Sequence, residues 1–202
     1  MNLPKKIFWG TLVWVASLGL AIAVPPIGVP APAFRVVDTT GKTWSLTELR
    51  GKRVILEWTN DLCPFVIKHY DSGNMQALQK EATSAGYIWL SIISSAPGRQ
   101  GYVSPAEANA LTQARGAVPT AVVLDPQGIL GRTYGAKATP QLFIIDEGGY
   151  LVYRGGMDDK TTPDPGEIAG ATNYVRQAMD ELAAGQPVDQ PVTRYHGCPI
   201  NF

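Results

Sequence analysis

Residues 53–64 read Arg53-Val54-Ile55-Leu56-Glu57-Trp58-Thr59-Asn60-Asp61-Leu62-Cys63-Pro64. The first six form a near-continuous apolar run, the pattern of a strand buried on both faces. Thr59 to Leu62 make a short turn, and Pro64 suits the first position of a helix, where an absent N–H is no loss. Cys63 stands at that junction. A side chain there meets the unsatisfied N–H groups and the positive dipole end of the helix, which favour a thiolate. The thiolate is the nucleophile of disulfide exchange and of peroxide reduction. The competing reading makes Cys63 a small hydrophobe of the core.

Outward from this unit the chain alternates strands and helices. Upstream, Phe34–Val37 and Lys42–Leu46 flank Asp38-Thr39-Thr40-Gly41, a hairpin signal. Downstream, the helix opened by Pro64 breaks near Asp71-Ser72-Gly73, restarts through Met75, Leu78 and Ala82, and ends at Gly86. Tyr87–Ile93 is a second buried strand and Thr120–Leu124 a third. Between them Ser104-Pro105-Ala106-Glu107 is a capping box opening a helix that stops at Gly116. Gln141–Asp146 and Tyr150–Arg154 form a second hairpin. Ile168, Ala171, Val175, Ala178, Met179 and Leu182 give one apolar helical face that ends at Gly185. The order predicts a mixed sheet with helices on both faces and an N-terminal hairpin in front. One domain, residues 27–185, is expected, followed by an extended tail, residues 186–202.

The 202 residues carry 17 basic and 17 acidic side chains, two histidines and two cysteines, with 45% hydrophobic residues. That balance excludes a disordered charged tail protein and gives no basic footprint for nucleic acid. Two cysteines are too few for a disulfide-stapled scaffold or an all-cysteine zinc site, and enough for one redox pair. The first acidic residue is Asp38. Lys5-Lys6, the uncharged run Ile7–Val24 and the triplet Ala21-Ile22-Ala23 make residues 1–23 a secretory signal peptide. The alternative is an uncleaved anchor, which would make the membrane a partner. Cleavage removes Lys5 and Lys6 and leaves 15 basic groups against 17 acidic ones. The expected location is periplasmic or otherwise extracytoplasmic, where disulfides persist.

Cys63-Pro64, the segment Val29-Pro30-Ala31-Pro32-Ala33-Phe34, the first hairpin and Ala138-Thr139-Pro140 resemble the thioredoxin superfamily. More narrowly, the chain resembles the alkyl hydroperoxide reductase and thiol-specific antioxidant (redoxin) group. Within it the chain is similar to a peroxiredoxin-like branch with a Gly-Cys tail, here Gly197-Cys198-Pro199-Ile200. The resemblance implies a thioredoxin-like three-layer α/β/α fold with Cys63 at the start of the first long helix. It also implies a cis Pro140 facing that thiol, no cofactor, and a groove formed by Pro64, Thr139 and Trp58. Peroxide or a protein disulfide would be the substrate and a thiol protein the reductant. The chain departs from its relatives in three places. Asn60 replaces the first cysteine of the thioredoxin pair and the threonine or serine of peroxiredoxins, Leu56 replaces their upstream proline, and Pro140 stands where peroxiredoxins have arginine. A peroxiredoxin-like cysteine thus sits in a thioredoxin-like pocket, with Asn60 and the helix start as the groups that would stabilise its thiolate.

Cys198 lies 135 residues beyond Cys63. Three readings stand side by side: a resolving cysteine, a permanent staple to Cys63, or two thiols that never meet. If the tail folded onto the active helix, His69 and His196 could join the cysteines as zinc or copper ligands, making a metal-handling protein the rival reading. A binding module without turnover is the other rival. Glu57 is either a proton shuttle to Cys63 or a strand glutamate paired with Arg or Lys. Lys68 is read as solvating the helix surface, and Asp158-Asp159-Lys160 as solvated loop charges. Trp44, Trp58, Trp89 and Phe143 are core or pocket lining.

Overall fold

The computed structural model describes residues 24–202; the expected signal segment, residues 1–23, lies outside them. The N-terminal hairpin forms from β1 (Arg35–Val37) and β2 (Thr43–Ser45). Its turn is organised by Asp38, whose carboxylate accepts from the Thr40 N–H at 2.8 Å, the Lys42 N–H at 3.0 Å and the Trp44 indole at 2.8 Å. Partial burial opposes ionisation there, but these donors hold the carboxyl at about 2.

The main sheet contains β3 (Val54–Trp58), β4 (Ile88–Ile93), β5 (Ala121–Leu124), β7 (Gln141–Ile145) and β8 (Leu151–Gly155), in the order β5-β4-β3-β7-β8. A further two-residue strand, β6 (Ala138–Thr139), precedes β7. β3, β4 and β5 run parallel, whereas β7 is antiparallel to both β3 and β8. All five residues of the central β3 are buried, which explains its unbroken apolar run.

The alternation of β3 sends its residues to two cores. Val54, Leu56 and Trp58 join Leu90, Ile92, Phe143 and Ile145, covered by the hairpin residues Phe34 and Trp44 and by α4 (Ile129–Tyr134). Ile55 points the other way, with Trp89, Leu142 and Ile144, beneath α1 (Pro64–Asp71), α2 (Asn74–Ser84) and α5 (Tyr174–Ala183). α1 and α2 are separated by Ser72-Gly73, where Gly73 adopts φ +74°, a left-handed conformation that suits glycine. α3 (Pro105–Ala114) starts as its sequence dictates: Glu107 accepts from the Ser104 N–H at 2.7 Å while Ser104 Oγ accepts from the Glu107 N–H.

Two features differ from the sequence expectation. The last helix begins at Tyr174, capped by Asn173, and Ile168 belongs to a separate 3₁₀ turn (Pro165–Gly170). The apolar spacing runs past the true start of α5 because that turn mimics it. The helix α4 has no counterpart in the sequence expectation. The tail lies as a strap over the molecule and contributes β9 (Cys198–Pro199), paired antiparallel with β6. No helix among the described residues is long and apolar enough to cross a membrane.

Candidate active site

The sheet ends on this side where the Thr59 N–H donates to Ile92 O at 2.9 Å. The next four residues form a turn closed by the Cys63 N–H on Asn60 O at 3.1 Å. Within it, Asn60 Oδ1 accepts the Leu62 N–H at 3.0 Å, so the Asn60 carboxamide oxygen serves the turn that delivers Cys63. Cys63 then takes the N-cap position of α1, with Pro64 in the first turn, as expected from the sequence. The thiol has no exposed surface and donates to the carbonyl of Thr139 at 3.0 Å. The Thr139–Pro140 peptide bond is cis.

Thr139 connects both cysteines. Its carbonyl receives the Cys63 thiol, and its backbone stands opposite Cys198 in the β6–β9 pair. The strap lies so close that a Cβ on Gly197 would overlap the Thr139 carbonyl oxygen, a fit only glycine permits. Cys198 is partly buried and packs against the core cluster that contains Cys63. Burial, together with the hydrogen bond from Cys63 and the charge of its thiolate, pushes the Cys198 thiol up to about 12. At neutral pH Cys198 is therefore a protonated thiol. The two cysteines border the same residue, Thr139, and both are free thiols in this structure.

Other sequence expectations are redistributed. Trp58 does not line a groove: it is fully buried, edge-on to Phe143 at 5.1 Å, and its indole N–H donates to Ser94 Oγ. Glu57 has neither Arg nor Lys beside it among the described residues. Its carboxylate accepts from Tyr70 Oη at 2.8 Å, Trp89 Nε1 at 2.8 Å, Ser91 Oγ at 2.7 Å and Gln79 Nε2 at 3.2 Å. Four donors match the four lone-pair positions of a carboxylate. Burial, followed by the charge and hydrogen bond of Glu57, raises the Tyr70 hydroxyl well above its ordinary value.

Lys68 is buried rather than solvated, with Nζ 3.2 Å from Asp158 Oδ2 and donating to Thr162 O at 3.2 Å. Asp158 is likewise buried and not a solvated loop charge. His69 is also buried, its Nδ1 meeting Asn74 at 2.9 Å and its Nε2 3.7 Å from Asp158. It faces that cluster instead of the cysteines, and no group of three His, Cys, Asp or Glu side chains suited to a metal ion occurs among the described residues. A surface depression of about 480 Å³ is lined by β1, the end of β5 and α4, and includes none of Cys63, Thr139 and Cys198.

The sequence offered little to locate the contacts of the strap. The Phe202 ring rests on Gly128 and Gly131, Ile200 N–H donates to Lys137 O at 3.0 Å, and Ala96 N–H donates to Asn201 O at 3.2 Å. The only trace in the sequence is the apolar pair Ile200 and Phe202 in an otherwise aperiodic tail.

Solved structures with this fold include a hypothetical protein from Sinorhizobium meliloti, 23% identical over 88% of this chain and 95% of its own, with a TM-score of 0.74. An uncharacterized conserved protein from Geobacillus kaustophilus is 24% identical over 88% and 92%, again at 0.74. A putative thiol:disulfide interchange protein DsbE from Chlorobium tepidum is 23% identical over 64% and 84%, with a TM-score of 0.52. These likenesses establish a thioredoxin-like α/β fold. No curated protein matches the chain. The AhpC/TSA family profile matches residues 27–154, from ahead of the first hairpin to the end of the second and through Cys63 and Pro140, and the chain belongs to that family.

Proposed function

We propose that the protein is an exported, peroxiredoxin-like thiol oxidoreductase that cycles between the Cys63/Cys198 dithiol and an intramolecular disulfide. The observation that carries this reading is the convergence of the two thiols on Thr139. Cys63 is the nucleophile. With a peroxide, its thiolate attacks the terminal oxygen, the O–O bond breaks, and Cys63 becomes a sulfenic acid as the alkoxide or hydroxide leaves and is protonated. The Cys198 thiol then attacks the sulfenic sulfur, the S–S bond forms, and its proton leaves with the hydroxyl as water. With a protein disulfide, Cys63 forms a mixed disulfide that Cys198 resolves, releasing a dithiol. A thiol protein would supply the two electrons that reopen the Cys63–Cys198 bond.

Peroxide is the favoured oxidant. The strap occupies the Thr139 edge, and Cys63 has no exposed surface, so a reactant of few atoms reaches the sulfur more easily than a folded protein does. Asn60 shapes the turn, and Thr139 with Pro64 and Pro140 walls the thiol. The signal segment supports export, and an oxidising compartment suits a disulfide cycle.

The test is mass spectrometry of the reduced protein after hydrogen peroxide or an oxidised model protein. A two-proton loss is expected in the wild type, a trapped sulfenic acid in Cys198→Ser, and no oxidation of the remaining site in Cys63→Ser. Wild-type protein that forms neither sulfenic acid nor disulfide with either oxidant would leave the binding-module reading in its place.

A further inference from the structure

Cys198 is anchored from both sides, and the two anchors differ in kind. Upstream, Thr193 is held by backbone and side chain: its N–H donates to Arg154 O at 3.2 Å, and its hydroxyl meets Tyr153 Oη at 2.7 Å and accepts the Gly156 N–H at 3.2 Å. Between Thr193 and Cys198 stand four residues, Arg194 to Gly197. Downstream, the hold consists of Ile200 on Lys137, Asn201 on Ala96, and the Phe202 ring on Gly128 and Gly131. The guanidinium of Arg132 covers that ring, 5.1 Å from its centroid. Phe202 remains 38% exposed, so the ring is seated on the surface and is not part of either core.

A two-residue strand has too few ladder bonds to fix its own position. Upstream, the backbone of Arg194 and Tyr195 also lies against Gly156, so with that anchor alone Cys198 could swing away from Thr139 about His196 and Gly197. The downstream anchor turns a tethered cysteine into a positioned one.

We propose that Phe202, seated on the Gly128/Gly131 notch, is a positioning residue for Cys198: it latches the strap and sets the effective concentration of that thiol at Cys63. The proposal rests on the disulfide cycle above. The latch touches neither sulfur. It holds residues 200–202 down on α4 and the Ala96 loop, and thereby fixes the register in which Cys198 faces Thr139. Because the ring is partly exposed and held by contact with two glycines and one cation, it releases without disturbing the cores.

The measurement is the equilibrium of the full chain with glutathione. Two protein thiols and one oxidised glutathione give the Cys63–Cys198 disulfide and two reduced glutathiones, so the equilibrium constant reads the effective concentration directly. Protein is incubated across a range of glutathione ratios, acid-quenched and weighed by mass spectrometry. Phe202→Ala removes the ring. Gly131→Ala puts a methyl where the ring lies, at an α4 position with helical backbone that favours alanine. Each is expected to lower the effective concentration about tenfold. Because both remove one contact, the double variant is expected to fall no further than the single ones. Phe202→Tyr is expected to retain the wild-type value, and the thermal midpoint of the reduced protein to change little in the two Phe202 variants.

A wild type that forms no intramolecular disulfide at any ratio overturns the disulfide cycle. A wild type that forms it, with Phe202→Ala and Gly131→Ala unchanged, overturns the latch alone. Additive losses in the double variant overturn the seating of Phe202 on Gly131.

Discussion

Cys63 and Cys198 are neighbours held by opposite means. Cys63 belongs to a strand–turn–helix junction whose every residue from Val54 to Asn60 is buried, and α1 behind it is fixed by the second core. Cys198 sits in a two-residue strand whose flanks rest on glycine surfaces. The position of the first sulfur is therefore a property of the whole fold, while that of the second depends on a few local contacts. One is lost only by unfolding; the other can be lost while the protein stays folded.

The sharpest way to break this contrast is at Glu57. Glu57→Leu leaves the buried donors of Tyr70, Gln79, Trp89 and Ser91 without their acceptor and is expected to cost about 3–5 kcal/mol, read by urea unfolding. Wild-type stability in that variant would show that the Cys63 side does not depend on its core network.

The second probe is acid. His69 is held at about 4 by burial, with Asp158 opposing that shift and Lys68 reinforcing it, against an ordinary value of 6.5. The unfolded chain takes up a proton below 6.5 that the folded protein refuses. Stability from this group is thus complete above pH 6.5 and falls as pH drops towards 4, by an amount on the order of 3 kcal/mol. The unfolding free energy of wild type should slope between those pH values, and His69→Gln should flatten the slope.

Gly197→Ala tests the other side. Its Cβ would overlap the Thr139 carbonyl, so the strap must lift locally. Alkylation of Cys63 by iodoacetamide is expected to rise about tenfold, with unfolding free energy changed by less than about 1 kcal/mol. Equal losses in both measurements would merge the two regions into one cooperative unit.

Reactivity of Cys198 with the same reagent should climb with pH across 9 to 12, following its raised value. In Cys63→Ser the charge of the Cys63 thiolate is gone while burial remains, so the curve should move to lower pH. The smallest effect is expected from Arg132→Ala, which removes one exposed cation–ring contact on Phe202 and should lower the disulfide constant two- to fivefold.

The same contrast explains what the sequence made legible. β3, the turn, Cys63 and α1 are local in the chain, and each carries its own signal: an apolar run, turn residues, a proline at the first helical position. The capping box of α3 and the break at Ser72-Gly73 were legible for the same reason. The pairing of Cys198 with Thr139 is long-range and sits in a two-residue strand, too short for any alternation to register. α4 was hidden because Gly128, Gly131 and Gly135 read as loop residues, whereas Gly131 is there to receive a ring. Glu57 was visible as an anomaly in an apolar strand, but its partners come from β4, α1 and α2, and no local pattern names them. Lys68 reads as a surface residue because its partner, Asp158, lies ninety residues away.

The upstream part of the strap also covers an edge. β5 and β8 border the main sheet. Thr39 N–H donates to Val122 O beside β5, and the hydrogen bonds of Arg154 with Pro191 and Thr193 occupy part of the outer side of β8. Backbone groups left bare on a sheet edge recruit other chains. A truncation before Pro191 would thus do more than delete a redox partner: it would open β8 to strand-by-strand self-association. The cover of β8 precedes the second thiol in the chain, so a truncation that exposes the edge always removes Cys198, whereas one after Thr193 removes Cys198 and leaves the edge covered.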